Sequence, residues 1–215
     1  MTSESALTLH RQLEPEDQAR ADFYALLARL FSSAPDAALL AAIASAAALA
    51  PATHTGDAGA AAADLAAAWD ALREASAVID PDAATVEFHT LFVGVGRSEV
   101  SLYASHYLGP QSGRPLAEIR AALAELGLAR QPGSSEFEDH LAVMLETMRI
   151  LVAGDAERPP ATIREQRGFF ERYVTSWTFE CCTAIRDSPV AIYYGRVAQF
   201  ASCFLALERD SLAME

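Results

Sequence analysis

The sequence predicts an all-α protein, a bundle of about seven or eight helices. Three observations carry this. Apolar residues recur at three- and four-residue spacing along most of the 215-residue chain. No stretch alternates apolar and polar residues long enough to form a sheet. Pro, Gly and Asp fall where helices start and stop. With 52% hydrophobic residues the chain can bury a core, and its 21% of charged residues is an ordinary globular share. The length fits one domain, taken here as 1–215. Within it an N-terminal part, 15–112, and a C-terminal part, 113–208, meet at a connection over 94–114.

Each element has its own signal. Pro15 opens the first helix, whose stripe is Ala19, Phe23, Leu26, Leu27, Leu30 and Phe31. Ser32, Ser33 and Pro35 separate it from a second, carrying Leu39, Leu40 and Ile43. The segment from Pro51 to Gly59 reads as a loop, and Leu65, Trp69 and Leu72 mark a third helix. Asp80 and Pro81 form an N-cap and first-turn pair. The helix they open holds Phe88, Leu91 and Phe92, and Gly94 and Gly96 stop it. Residues 94–114 read as an extended, aromatic-rich connection. Pro115 opens a helix with Leu116, Ile119, Leu123 and Leu126, closed by Gly127. Ser135 and Glu138 have capping-box spacing ahead of Leu141, Leu145, Met148 and Leu151. Gly154 and Pro159-Pro160 break the chain. A long helix follows from Ile163 through Phe169, Phe170, Tyr173, Val174 and Trp177. Ser188-Pro189 restarts a last one with Tyr193, Tyr194, Val197, Phe200, Phe204 and Leu205.

Charge narrows the function. Sixteen bases, all Arg, stand against 29 acids, a net charge of −13. Such a surface does not neutralise phosphates or an anionic membrane. It suits a basic partner such as an Arg-bearing peptide, although charge alone reads first as what keeps the protein in solution. The N-terminus lacks a basic region followed by an apolar run, so it is not a signal peptide, and the Ala-rich stretches are too broken to span a bilayer. A cytoplasmic location is expected. Cys181, Cys182 and Cys203 fit a reducing compartment and read as core or near-core thiols.

Enzyme signatures are missing. Without Lys there is no P-loop, and neither G-x-S-x-G nor H-E-x-x-H occurs. Gly94-Val95-Gly96 follows a helix, so it is not a dinucleotide fingerprint. The strongest polar cluster is Glu136, Glu138, Asp139 and His140, read as the first turn of a helix. Its acids favour a helix N-terminus; His140 does not when charged, and reads as neutral and paired. Glu136 and His140 share a face at i, i+4, which keeps a metal-assisted hydrolase using Glu136, Asp139 and His140 as the alternative. A second aromatic group, Phe88, Leu91, Phe92, Tyr103, Ser105, His106 and Tyr107, reads equally as a pinned loop or as the wall of a peptide groove.

Taken together these strings resemble the TorD/DmsD/NarJ family. Phe88-His89-Thr90-Leu91-Phe92-Val93-Gly94, then Leu102-Tyr103-Ala104-Ser105-His106-Tyr107, is similar to that family's aromatic, Leu-Phe-x-Gly and Pro-Tyr-x-Ser-x-Tyr motif. Glu136 to Ala142 is similar to its Glu-Pro-x-Asp-His segment, with Phe137 in the place of Pro, as Leu102 is in the first motif. Tyr24, Leu27, Phe31 and Pro35 extend the likeness to the first helix. Phe169, Phe170, Trp177, Tyr193, Tyr194 and Phe204 extend it to the last ones, so that it covers about residues 18–208. The resemblance implies a TorD-like cytoplasmic chaperone, not an enzyme, with no cofactor of its own. It implies a partner: the catalytic subunit of a molybdenum-containing oxidoreductase, recognised by its twin-arginine leader, its apo-protein or both before export. Monomers and domain-swapped dimers both occur in such a family. Glu136, Glu138, Asp139 and His140 are then the expected polar centre of peptide binding. Phe88, Leu91, Phe92, Tyr103, Ser105 and Tyr107 form its apolar wall, and Gly94 and Gly96 let the backbone bend beside it. A helical subunit fixed in a stable complex is the competing reading, and guanine-nucleotide binding finds no phosphate cradle.

Overall fold

A computed structural model describes residues 13–50, 57–94, 98–109, 115–128 and 137–214. Among them the regular structure is helical: α1 (Pro15–Ser32), α2 (Ala37–Ser45), α3 (Asp57–Val78), α4 (Pro81–Phe88), α5 (Ala104–Leu108), α6 (Pro115–Glu125), α7 (Leu141–Ala153), α8 (Ile163–Phe169), α9 (Thr175–Asp187) and α10 (Tyr193–Met214). The all-α expectation holds. Continuous helix from α8 to α9 and a one-turn α5 bring the number of full elements close to the expected eight.

The stripes read from sequence become the core. Tyr24, Leu27, Leu30 and Phe31 of α1 are buried, and α1 lies along α7, whose Leu141, Leu145, Met148 and Leu151 are buried too. The two halves of the chain interleave, since α3 lies along α10, which also packs on α9. Trp177, Tyr193, Tyr194 and Phe200 are all 1% exposed or less. Each such side chain stabilises the fold by about 1.5–3 kcal/mol relative to leaving it in water. Cys181 and Cys182 are buried in this core and Cys203 is half-buried, as expected.

Two π-helical turns, His89–Val93 and Phe170–Val174, interrupt the helices. A π turn inserts one residue and shifts the helical phase. Beside the first, Phe88 and Phe92 both meet Tyr194, with centroids 5.7 and 5.0 Å away. Across the second, Phe170, Val174 and Trp177 are all buried.

Polar groups tie the elements where apolar contact does not. Glu208 of α10 accepts two bonds from Arg20 of α1, at 2.8 and 3.0 Å, and one from the buried Tyr24 hydroxyl at 2.9 Å. Arg20 also reaches Gln166 of α8 and Asp17. The Glu87 carboxylate on α4 accepts the first amides of α10, Tyr193 N–H at 3.1 Å and Tyr194 N–H at 2.7 Å. An anion at a helix N-terminus satisfies amides that lack intrahelical partners.

Four boundaries differ from expectation. The connection over 94–114 contains the short helix α5. α7 begins at Leu141 with His140 as its N-cap, so Glu138 precedes the helix rather than closing a capping box; Ser135 lies outside the described residues. The last helix starts at Tyr193, after a turn at Ser188–Ile192, because Glu87 supplies its cap from another element. Residues 51–56 of the expected loop lie outside the described residues, and Asp57–Gly59 already belong to α3.

Candidate functional site

Two segments far apart in sequence form a clasp. Leu102–Ala104 runs extended into α5, and Phe137–His140 turns into α7. They pair as a minimal antiparallel ladder: Leu141 N–H donates to Leu102 O at 2.8 Å, and Ala104 N–H donates to Asp139 O at 2.9 Å. Tyr103 and His140 stand opposite each other across it.

The side chains finish what the backbone begins. The Asp139 carboxylate is 2% exposed and accepts Ser105 N–H at 3.2 Å, capping α5 from a distant segment. His140 Nδ1 accepts Ala142 N–H at 3.2 Å and so caps α7. A ring nitrogen that accepts carries no proton, which agrees with the neutral His140 expected from its place at a helix start. The Tyr103 ring sits edge-on to the imidazole, 4.9 Å between centroids. Tyr107 stacks on Trp177 at 5.6 Å and donates its hydroxyl to Ser101 O at 2.8 Å. Burial pushes the Tyr107 phenol well above the usual range, so it remains a donor. The Cys181 thiol points at the same Ser101 carbonyl, 3.5 Å away.

Glu138 ties the clasp to a third element, α6. Its carboxylate accepts a bidentate pair from Arg120 of α6, at 2.9 and 3.0 Å. The two sides differ in exposure: the Glu138 side chain is 10% exposed and that of Arg120 is 56%. Phe137, one residue before, is 51% exposed, and no other Phe, Tyr or Trp among the described residues is open to that degree.

The expected site residues therefore divide. Tyr103, Ser105, Tyr107, Glu138, Asp139 and His140 come together in the clasp. Phe88 and Leu91 lie in the core, 8% and 0% exposed, and Phe92 is half-buried against Tyr194 and Phe31. They support the clasp at one remove, through Val100 N–H donating to Leu91 O at 2.9 Å. Gly94 ends the first π turn at φ 61°, a conformation that suits glycine, and its N–H returns to His89 O. Gly96 and Glu136 lie outside the described residues. Sequence reasoning missed Arg120 and Ser101, because each finds its partner across the fold rather than along a helix. Phe137 carried a signal, since it stands where the resembled motif has Pro.

Among the described residues, no three His, Cys, Asp or Glu side chains are grouped to hold a metal ion, and no helix is long and apolar enough to cross a membrane. An open cleft of about 470 Å³ lies elsewhere, between α2 and the α3–α4 junction, lined by Ala37, Leu40, Ala41, Ala44, Ile79 and Pro81.

Fold and site define an all-helical protein whose polar centre is a structural clasp with an aromatic and acidic outer edge. The model of the nitrate reductase delta subunit family matches residues 58–183, more than half of the chain and inclusive of both clasp segments. The chain belongs to that family, the NarJ/TorD type of redox-enzyme maturation chaperones. Membership supports a chaperone role in the maturation of a nitrate-reductase-type enzyme. Among curated proteins, none matches the chain.

Proposed function

We propose that this chain is a cytoplasmic, non-catalytic chaperone that binds the twin-arginine leader, the apo-protein or both of a molybdenum-containing catalytic subunit, and retains it until its cofactor is inserted. It acts as a monomer or as a domain-swapped dimer. The observation that carries the reading is the pairing at the clasp's edge. A nearly buried carboxylate, Glu138, is held by an exposed guanidinium, Arg120, beside an exposed Phe137.

A leader of this kind presents two Arg followed by an apolar stretch. A planar guanidinium is a bidentate match for a carboxylate. An incoming Arg exchanges with Arg120 on Glu138 without leaving a buried charge unpaired, which keeps the exchange close to neutral in energy. The apolar stretch then covers Phe137 and Tyr103, which supplies the affinity. The net charge of −13 draws the cationic segment in. In this reading Ser105 borders the groove. Asp139 and His140 position its floor from below, and Tyr107, Phe88, Leu91, Phe92 and Gly94 hold that floor in place. Glu136 and Gly96 are carried into the proposal from the sequence motifs alone.

Calorimetric titration with the leader peptide of a molybdoenzyme encoded beside this gene tests the proposal. Binding at micromolar concentration is expected, and Phe137→Ser or Glu138→Gln weakens it about tenfold, the loss of about 1.4 kcal/mol. If neither leader nor apo-protein binds at that concentration, the function is wrong. If both variants bind like the wild type, the site is wrong while the function stands.

A further inference from the structure

We infer that Arg120 is a built-in competitor: in the free chain its guanidinium occupies the place on Glu138 that a client guanidinium takes, so the edge of the clasp stays closed until a client displaces it. The inference rests on the leader-binding reading of that edge and adds an autoinhibitory contact to it.

The bond itself comes first. Arg120 Nε and Nη2 donate to the two carboxylate oxygens of Glu138 at 2.9 and 3.0 Å, the two-point geometry that any other guanidinium would need there. A carboxylate has one edge on which both oxygens face a single fork, so Arg120 and a client Arg exclude each other.

Exposure makes the bond exchangeable. Among the ion pairs of the described residues, Arg120–Glu138 joins a mostly exposed Arg to a nearly buried carboxylate. The Arg20–Glu208 pair is nearly buried on both sides, and Arg29–Asp36 is exposed on both. A carboxylate with little water around it needs a cationic partner, whereas a mostly hydrated guanidinium gives its partner up at little cost.

Helix α6 does not depend on the bond. Its Ile119 and Leu123 are buried, and the carbonyl just past its end, Leu126 O, accepts Arg158 Nη1 at 3.0 Å. Glu118, on the same helix, lies 3.6 Å from Arg172. Release of Arg120 is then a side-chain rotation with no helix to move. An internal competitor lowers every client affinity by the fraction of time the site stands open, so an edge open for about one-tenth of the time binds about tenfold more weakly. Lys, a one-point partner, then falls below the binding range, while a leader with two Arg and an apolar stretch stays within it.

Calorimetry on the full-length Arg120→Ala protein tests the inference, with Arg196→Ala as a control that removes the same charge from an exposed position on α10. The probes are the leader peptide and a version with both Arg changed to Lys. Arg120→Ala is expected to bind both more tightly by one common factor of about ten, because an internal competitor divides every affinity by the same number. Arg120→Lys should give a smaller gain, and Arg196→Ala should match the wild type. A second readout needs no variant: the Arg120 Nε–H resonance should move toward that of a solvated guanidinium as leader is added. Leader binding that is unchanged or weaker in both Arg120 variants, an equal gain in Arg196→Ala, or a resonance that stays in place at saturating leader overturns the competitor role and leaves the leader-binding reading intact. Failure of the wild type and of Arg120→Ala alike to bind the leader overturns both.

Discussion

Replacing Glu208 with Ala is expected to cost far more than its one side chain suggests. The carboxylate accepts three bonds, two from Arg20 and one from Tyr24, and the two segments are 188 residues apart. The Arg20 side chain is 14% exposed and Tyr24 is 0% exposed. Truncation strands a nearly buried guanidinium and a buried hydroxyl. Breaking a buried pair from one side costs about 3–5 kcal/mol. For a chain of this size about 1 kcal/mol moves Tm by roughly 2–4 °C, so calorimetry should show a fall of roughly 6–20 °C. Gln166 and Asp17 keep partial hold of Arg20, which argues for the lower half of that range. The double change Arg20→Met/Glu208→Leu removes both charges and fills the space with apolar groups. It should lie within about 2 kcal/mol of the wild type, because the desolvation cost of the pair disappears with it. A Glu208→Ala protein that loses less than about 1 kcal/mol would refute the reasoning. So would a double variant as unstable as the single one.

Two further predictions rest on single sites. Gly154 ends α7 at φ 73°, and a Cβ there would lie 2.5 Å from Arg158 O and 2.9 Å from the Pro159 carbonyl carbon, so Gly154→Ala should lower stability by at least about 1 kcal/mol in urea unfolding, because backbone rather than a flexible side chain blocks it. Burial pushes the Cys181 thiol well up and that of Cys182 up to about 11, so both are protonated at pH 8; a thiol reagent there should label at most Cys203 in the native chain and all three after unfolding.

Much of the architecture was legible because the helices obey local rules. Pro15, Asp80-Pro81 and Pro115 open helices where capping chemistry places them, and Gly94, Gly127 and Gly154 close them with positive φ. What stayed hidden depends on partners across the fold. Glu138 looked like the third residue of a capping box opened by Ser135, yet it bonds Arg120, and the helix begins at Leu141 with His140 as its cap. Leu102-Tyr103-Ala104 reads as loop until the Phe137–Leu141 segment gives its backbone a pairing partner. The site was half legible for the same reason. Asp139 and His140 do face Tyr103 and Ser105, but as groups that cap two helices rather than as an open polar surface. Phe88 and Leu91 are apolar on a helix, and periodicity cannot say whether such residues face a groove or the core.

Hydrogen exchange at the clasp bears most directly on the claim that this junction both orders the fold and forms the floor of client binding. The N–H groups of Ala104, Ser105 and Leu141 each donate across it. They should exchange slowly in the free chain and more slowly still once the client's leader is bound. Rapid exchange of these amides in the free chain, or rates that do not change while the leader is demonstrably bound, would contradict it.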